Sequence, residues 1–248
     1  MIRIANEQDS QNILEYVSRD CARNYFILMS LIKDESTYQA IYIEESPDIK
    51  ALLFHRASGN LQFVAYNEYD TKGFIELIKS MDFKYLISPH FFTKLLEPCL
   101  KVMKKGAIIA ECSNDSFNPS PIHSLATNLT VDDLESVEIL YSKVFSGYPK
   151  TPYMKRKLEE HRGTGYQVTT NSLVSVAQSE FGYVIVGVAT DPNHQKKGYA
   201  TECLVPLIRE VLNTYPKAYL QYDNLDAGKI YERLGFKPVD QVMHYGRK

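Results

Sequence analysis

The sequence predicts an α/β chain folded as two successive halves, each a mixed, mostly antiparallel central sheet flanked by helices. Three observations carry that expectation. Short β-branched and aromatic runs alternate with stretches of helical periodicity along the whole chain. The first half reads in the order βααβββαβαβ, and the second half repeats that order without evident sequence identity. A polar stretch over residues 113–119 separates them, which sets the expected domains at 1–118 and 119–248.

In the first half, residues 2–5 read as a strand and 7–18 as a helix with Ile13, Leu14 and Val17 on one face. Asn6 is placed to cap that helix. A second helix over residues 21–33 carries Phe26, Ile27, Leu28, Leu31 and Ile32, and residues 39–44 alternate as a strand. Pro47 and Asp48 turn the chain. Strands at 50–56 and 61–66 are joined at Ser58, Gly59 and Asn60, a hairpin-type turn. A helix holding Phe74, Ile75 and Ile78, a strand at 84–88, a helix at 90–103 and a strand at 107–112 complete the half.

The second half opens with a strand at 124–129, and Thr130 is placed to cap a helix in which Leu134, Val137, Tyr141, Val144 and Phe145 recur at helical spacing. Thr151 and Pro152 start another helix, with Pro at the favoured first position, and Gly163 is expected to end it. Strands at 166–170, 173–180 and 183–190 follow. Then come a helix from Gly198, a strand at 218–223, a helix at 226–234 and a final strand from Phe236. Pro206 falls inside the helix that follows Gly198, where the missing N–H is expected to kink or restart it.

Composition narrows the function classes. With 248 residues and 44% hydrophobic content the chain can bury substantial cores. A net charge of -2 provides no basic field, which argues against nucleic acid as a partner. Cys21, Cys99, Cys112 and Cys203 show neither C-x-x-C spacing nor neighbouring histidine pairs, so no metal site and no disulfide framework is expected. The N-terminal residues lack an apolar signal core and no run approaches the ~20 residues of a membrane span. The expectation is a cytoplasmic protein, monomer or homodimer, acting on a small molecule away from membranes.

The chain is organised around residues 183–208. Val184, Ile185, Val186 and Val188 make a strand that runs into Asp191-Pro192-Asn193-His194 and then Gln195-Lys196-Lys197-Gly198-Tyr199-Ala200, which starts a helix. A helix start offers unpaired N–H groups and the positive end of the helix dipole, a combination suited to a phosphate. Gly198 and the small Ala200 let the backbone approach such a ligand, while Lys196 and Lys197 add charge.

Gln195, Gly198 and Ala200 resemble the Q/R-x-x-G-x-G/A signature of the GNAT superfamily of acyl-CoA-dependent N-acyltransferases. Asn224, Ala227, Tyr231, Gly235 and Phe236 are similar to that family's N-x-x-A-x-x-x-Y-x-x-x-G-F segment, in the right order. The resemblance extends from Ser124 to the C-terminus and makes the whole chain look like a tandem of GNAT-like folds, the first degenerate. It implies acetyl-CoA as the cofactor, with CoA as product and no metal. It also implies that the backbone of Val188, Ala189 and Thr190 pairs with the pantetheine arm, and that Gln195 and the N–H groups from Lys196 and Lys197 through Gly198, Tyr199 and Ala200 to Thr201 hold the pyrophosphate. Asn224 would bond the pantetheine arm or its loop.

The implied activity is direct transfer, in a ternary complex, of an acetyl group from the thioester to a small-molecule or amino-acid-like amine. The alternative is a non-catalytic acyl-CoA-binding module of the same fold. Transfer needs a neutral amine and a proton for the leaving sulfur. Tyr231 stands where the resemblance puts the general acid, against the plainer reading of a core tyrosine. Glu180 is the candidate base, against that of a solvated turn residue. In the first half, residues 67–73 lack the phosphate signature and carry Glu68 and Asp70 instead, so one CoA site per chain is expected.

Overall fold

The computed structural model describes residues 1–32, 37–119, 121–123 and 125–248. The chain forms two compact units, Met1–Ile109 with Val239–Lys248, and Ala110–Pro238. Along the chain the helices and strands come in the order read from the sequence.

In the first unit, β1 (Ile2–Ile4) leads through a 3-10 turn to α1 (Ser10–Ser18) and α2 (Tyr25–Ile32). Asn6 caps the turn as expected, its side chain accepting the Gln8 N–H at 2.9 Å while Asp9 accepts the Asn6 N–H at 2.8 Å. Lys33, assigned from sequence to the second helix, lies outside the described residues. Strands β2 (Tyr38–Glu45), β3 (Ile49–Arg56) and β4 (Leu61–Ala65) follow, then α3 (Thr71–Ser80) and β5 (Leu86–Pro89). The helix expected over 90–103 is shorter. α4 spans only His90–Thr93, a 3-10 turn carries Lys94–Cys99, and β6 (Leu100–Ser113) begins seven residues before the expected strand at 107. Pro98 has no N–H to extend the helix and restricts the residue before it, so the chain leaves helical geometry there.

β1 to β4 pair antiparallel in succession, and β4 and β5 run parallel and pair at Leu61↔Leu86. Past that point Ser88 fills in: its hydroxyl accepts the Phe63 N–H at 2.7 Å and donates to the Phe63 carbonyl at 3.1 Å. Elsewhere in the unit Tyr66 packs its ring against those of Tyr16 and Phe92.

In the second unit, β7 is only Thr127–Asn128, shorter than the expected strand at 124–129, of which Ser124 lies outside the described residues. Next come α5 (Leu134–Val144), α6 (Thr151–Glu159), β8 (Gly165–Thr169), β9 (Leu173–Glu180), β10 (Val184–Thr190), α7 (Tyr199–Thr214), β11 (Lys217–Tyr222) and α8 (Leu225–Arg233). Thr130 and Asp133 form the reciprocal cap expected before α5. Gly163 does not end α6. That helix stops at Glu159, and Gly163 is small because a Cβ there would lie 2.1 Å from the Ser179 carbonyl oxygen. α7 runs through Pro206 without a restart, so the proline costs one hydrogen bond inside a continuous helix.

The last strand, β12 (Lys237–Arg247), crosses a unit boundary: from Val239 onward it belongs to the first unit, where it pairs antiparallel with β5 from Val242↔Pro89 to Tyr245↔Leu86. The core of the second unit gathers Leu134, Val137, Leu140, Tyr141, Met154, Val176 and Ala189.

Candidate functional site

The site of the second unit begins where two strands part. β10 and β11 are parallel and paired only at Val184↔Tyr219 and Ile185↔Leu220. Beyond Ile185 no strand among the described residues pairs with β10 on that side. On its other side β10 pairs with β9 at Val186↔Gln178 and then at Ala189↔Val176, so Gly187 and Val188 together oppose Ala177 alone, a β-bulge. Gly187 has φ +59, and a Cβ on it would sit 2.1 Å from the Tyr141 hydroxyl. Both constraints call for glycine.

A cavity of about 630 Å³ occupies the gap. Val188, Ala189 and Thr190 line it from β10, Gln195, Lys196, Gly198, Tyr199, Ala200 and Thr201 from the turn and the start of α7, and Asn224 and Tyr231 from α8. Eleven of the thirteen site residues expected from the sequence therefore share one cavity; Lys197 is exposed next to it and Glu180 is elsewhere.

The helix start has the polarity that an anion needs. Gly198 is the N-cap of α7 with φ +83 and offers no side chain to the first-turn N–H groups. Nothing lies within 4 Å of where its Cβ would be. The turn before it is braced by Asp191, which accepts the Asn193 N–H at 2.9 Å and pairs with Lys143 at 2.8 Å. Those two contacts, the Lys143 bond first, hold the Asp191 carboxyl down at about 2. Three cations, Lys196, Lys229 and Arg233, line the cavity against one carboxylate, Asp226, so its wall is net positive. Arg233 also donates to the Thr201 hydroxyl at 3.2 Å, which fixes a guanidinium at the first turn of α7.

Tyr231 is 6% exposed, its ring against Tyr222 and Phe236. Burial, reinforced by Tyr222, pushes its phenol up to about 12, so it is a protonated donor at neutral pH. Asn224 uses its Oδ1 to cap α8, accepting the N–H groups of Asp226 at 2.9 Å and Ala227 at 3.4 Å. Any ligand contact would fall to its Nδ2.

Glu180 does not join them. It pairs with Val184, at the end of β10 remote from the phosphate turn, and is buried among Arg162 at 2.7 Å, the Tyr153 hydroxyl at 3.0 Å and Lys157 at 4.0 Å. This carboxylate is committed to Arg162 and Tyr153 inside the unit and lines no part of the cavity. Its position does not support the role of base. Lys157, for its part, is driven down to about 8 by burial, with Glu180 working in the opposite direction.

Sequence reasoning passed over Arg233 and Lys229. Four apart on α8, they share a helix face, and both line the cavity. Cys203 is buried in the core, in keeping with a packing role.

A sheet whose parallel strands splay beside an uncapped, glycine-led helix start offers an open strand edge and an anion-binding helix terminus in one place. Residues 133–245 match the family model described as GNAT acetyltransferase. The fold of the whole chain is that of tandem GNAT proteins. It is similar to a GNAT-family acetyltransferase from Colwellia psychrerythraea, with TM-score 0.76 over 100% of both chains at 12% identity. It is also similar to a tandem GNAT protein from the clavulanic acid biosynthesis pathway, solved without AcCoA, with TM-score 0.62 over 100% of this chain and 98% of that one at 10% identity. A GCN5-related N-acetyltransferase from Sphaerobacter thermophilus gives TM-score 0.61 over 100% and 95% at 11% identity. At such identities the likeness is one of fold. No curated protein sequence matches the chain. No helix among the described residues is long and apolar enough to cross a membrane.

Proposed function

We propose that this chain is an acetyl-CoA-dependent N-acetyltransferase with one cofactor site, in the cavity of its second unit, and that its acceptor is a small-molecule or amino-acid-like amine in the cytoplasm. The observation that carries the reading is the meeting of three features in one cavity: the uncapped start of α7, the unpaired edge of β10 and the protonated phenol of Tyr231. The first suits a pyrophosphate. The second suits the amides of a pantetheine arm, which would complete the ladder as an added strand does. The third suits a departing sulfur.

In the reaction, the lone pair of a neutral amine attacks the thioester carbonyl carbon. The C–N bond forms, the C–S bond breaks, and the amine's surplus proton passes to solvent or to a base on the acceptor side. A phenol near 12 is roughly 3.5 units above an ordinary thiol, so full proton transfer to sulfur costs about 5 kcal/mol. Tyr231 therefore acts first as a hydrogen-bond donor to the charge growing on sulfur, and the proton follows from solvent.

The displacement of Glu180 from the cavity favours a second reading, an acyl-CoA-binding module without turnover. Calorimetry with acetyl-CoA followed by an amine screen, read as free thiol released, separates the two. Binding with thiol release that depends on an amine supports the enzyme; binding without release from any amine supports the module.

A further inference from the structure

Three buried side chains join into one directed chain of hydrogen bonds that ends on the half-buried bulge of β10. The Lys157 ammonium donates to Gln178 Oε1 at 2.5 Å, Gln178 Nε2 donates to the Tyr141 oxygen at 2.6 Å, and the Tyr141 hydroxyl donates to the Gly187 carbonyl at 2.8 Å. Lys157, Gln178 and Tyr141 are 2%, 1% and 0% exposed, so water does not compete for these bonds. The direction is forced. A lysine only donates, which turns the Gln178 carbonyl oxygen toward it and leaves the amide NH₂ for Tyr141; the phenol oxygen, now an acceptor, commits its single proton to Gly187.

The Gly187–Val188 peptide gains its orientation from that last bond. Glycine at 187 has freedom in φ, and the bulge removes this peptide from the ladder that fixes its neighbours. In a planar trans peptide the carbonyl and the following N–H point opposite ways. A Gly187 carbonyl turned to Tyr141 therefore turns the Val188 N–H away from the core, toward the cavity that Val188 lines.

We propose that Tyr141, directed by Gln178 and Lys157, is a positioning residue that aims the Val188 N–H at the carbonyl oxygen of the bound acetyl thioester. Tyr141 does not touch the acyl group. It sets the one backbone donor that would polarise the carbonyl and stabilise the oxyanion, and the reading rests on the acetyl-CoA site proposed above. The same geometry separates the acyl group from the rest of the cofactor, because free CoA has no carbonyl at that point.

The test uses the full chain, CoA and acetyl-CoA labelled with carbon-13 at the thioester carbonyl. In the wild type, the infrared band of that carbonyl is expected to move to lower frequency on binding, and acetyl-CoA to bind more tightly than CoA. Tyr141→Phe keeps the ring and removes the donor. Gln178→Glu keeps the shape and the lysine contact, but its carboxylate takes the phenol proton away from Gly187. Both variants are expected to lose the band shift and to lower the preference for acetyl-CoA over CoA by about two- to tenfold, the worth of one hydrogen bond, while CoA itself binds within about threefold of wild type. A role in packing alone would change both ligands together and leave the band shift of bound acetyl-CoA in place. If Tyr141→Phe fails to fold, Gln178→Glu decides. An unchanged band shift in the folded variants overturns the positioning role and leaves the acetyl-CoA site standing; failure of the wild type to bind either ligand overturns both.

Discussion

The Asp70 carboxylate accepts the Gly73 N–H at 2.9 Å and closes the start of α3 with a charge of the sign that a phosphate carries. Glu44 reinforces it by accepting the Asp70 N–H at 2.9 Å. The corresponding helix of the second unit, α7, starts at Gly198 with no such cap. The gap beside β4 is likewise bridged by Ser88, whereas the one beside β10 is open. On the proposed function the first unit therefore holds no cofactor, and the prediction is one acetyl-CoA per chain by calorimetry. A stoichiometry near two contradicts it.

Tyr231→Phe keeps the ring contacts with Tyr222 and Phe236 and removes the hydroxyl. A hydrogen bond to a charged group is worth about 1.5–3 kcal/mol, so turnover should fall roughly 10- to 100-fold. Cofactor affinity and melting temperature should stay close to wild type. Turnover unchanged in a folded variant would remove the phenol from the reaction.

Asp191 titrates differently in the folded and unfolded chain. Its carboxyl has a folded value of about 2, below the ordinary 3.8, so the stability it contributes is present above the unfolded value and is lost as pH falls through the folded one. Asp191→Asn is therefore expected to melt below the wild type at neutral pH, with the gap shrinking between about pH 4 and pH 2. Thermal melts across that range check it; a gap that stays constant with pH would mean that the Lys143 pair adds nothing.

Gly187→Ala should be among the most damaging single-methyl additions in the chain. The positive φ costs about 1–3 kcal/mol, and the Cβ lies 2.1 Å from the Tyr141 hydroxyl, which must move. A loss of roughly 5 °C or more in melting temperature is expected. A variant as stable as wild type would show that the bulge is not held as described.

The glycine-led start of α7 was legible because residues 195–201 are contiguous: the glycine, the small residue and the helix that follows can be read from one short stretch. The bulge network was not. Tyr141 lies 46 residues from Gly187 and 37 from Gln178, and Gln178 lies 21 from Lys157, so no local pattern joins them. The position of Glu180 was hidden for the opposite reason. It is close in sequence to β10, yet a hairpin puts the end of one strand beside the start of the next, which sends Glu180 to the far end of β10. The place of residues 239–248 beside β5 was equally hidden, because periodicity identifies a strand and not its neighbour.

The central claim is that the bare start of α7 holds the pyrophosphate, and Gly198→Asp tests it most directly. The backbone there has φ +83, which aspartate tolerates better than most residues, and its Cβ has open space, so the fold should persist while a carboxylate stands where the phosphate would. Calorimetry with acetyl-CoA on both proteins, with melting temperatures measured alongside, should give affinity reduced by well over tenfold, more than about 1.4 kcal/mol. Equal affinities in two folded proteins would contradict it.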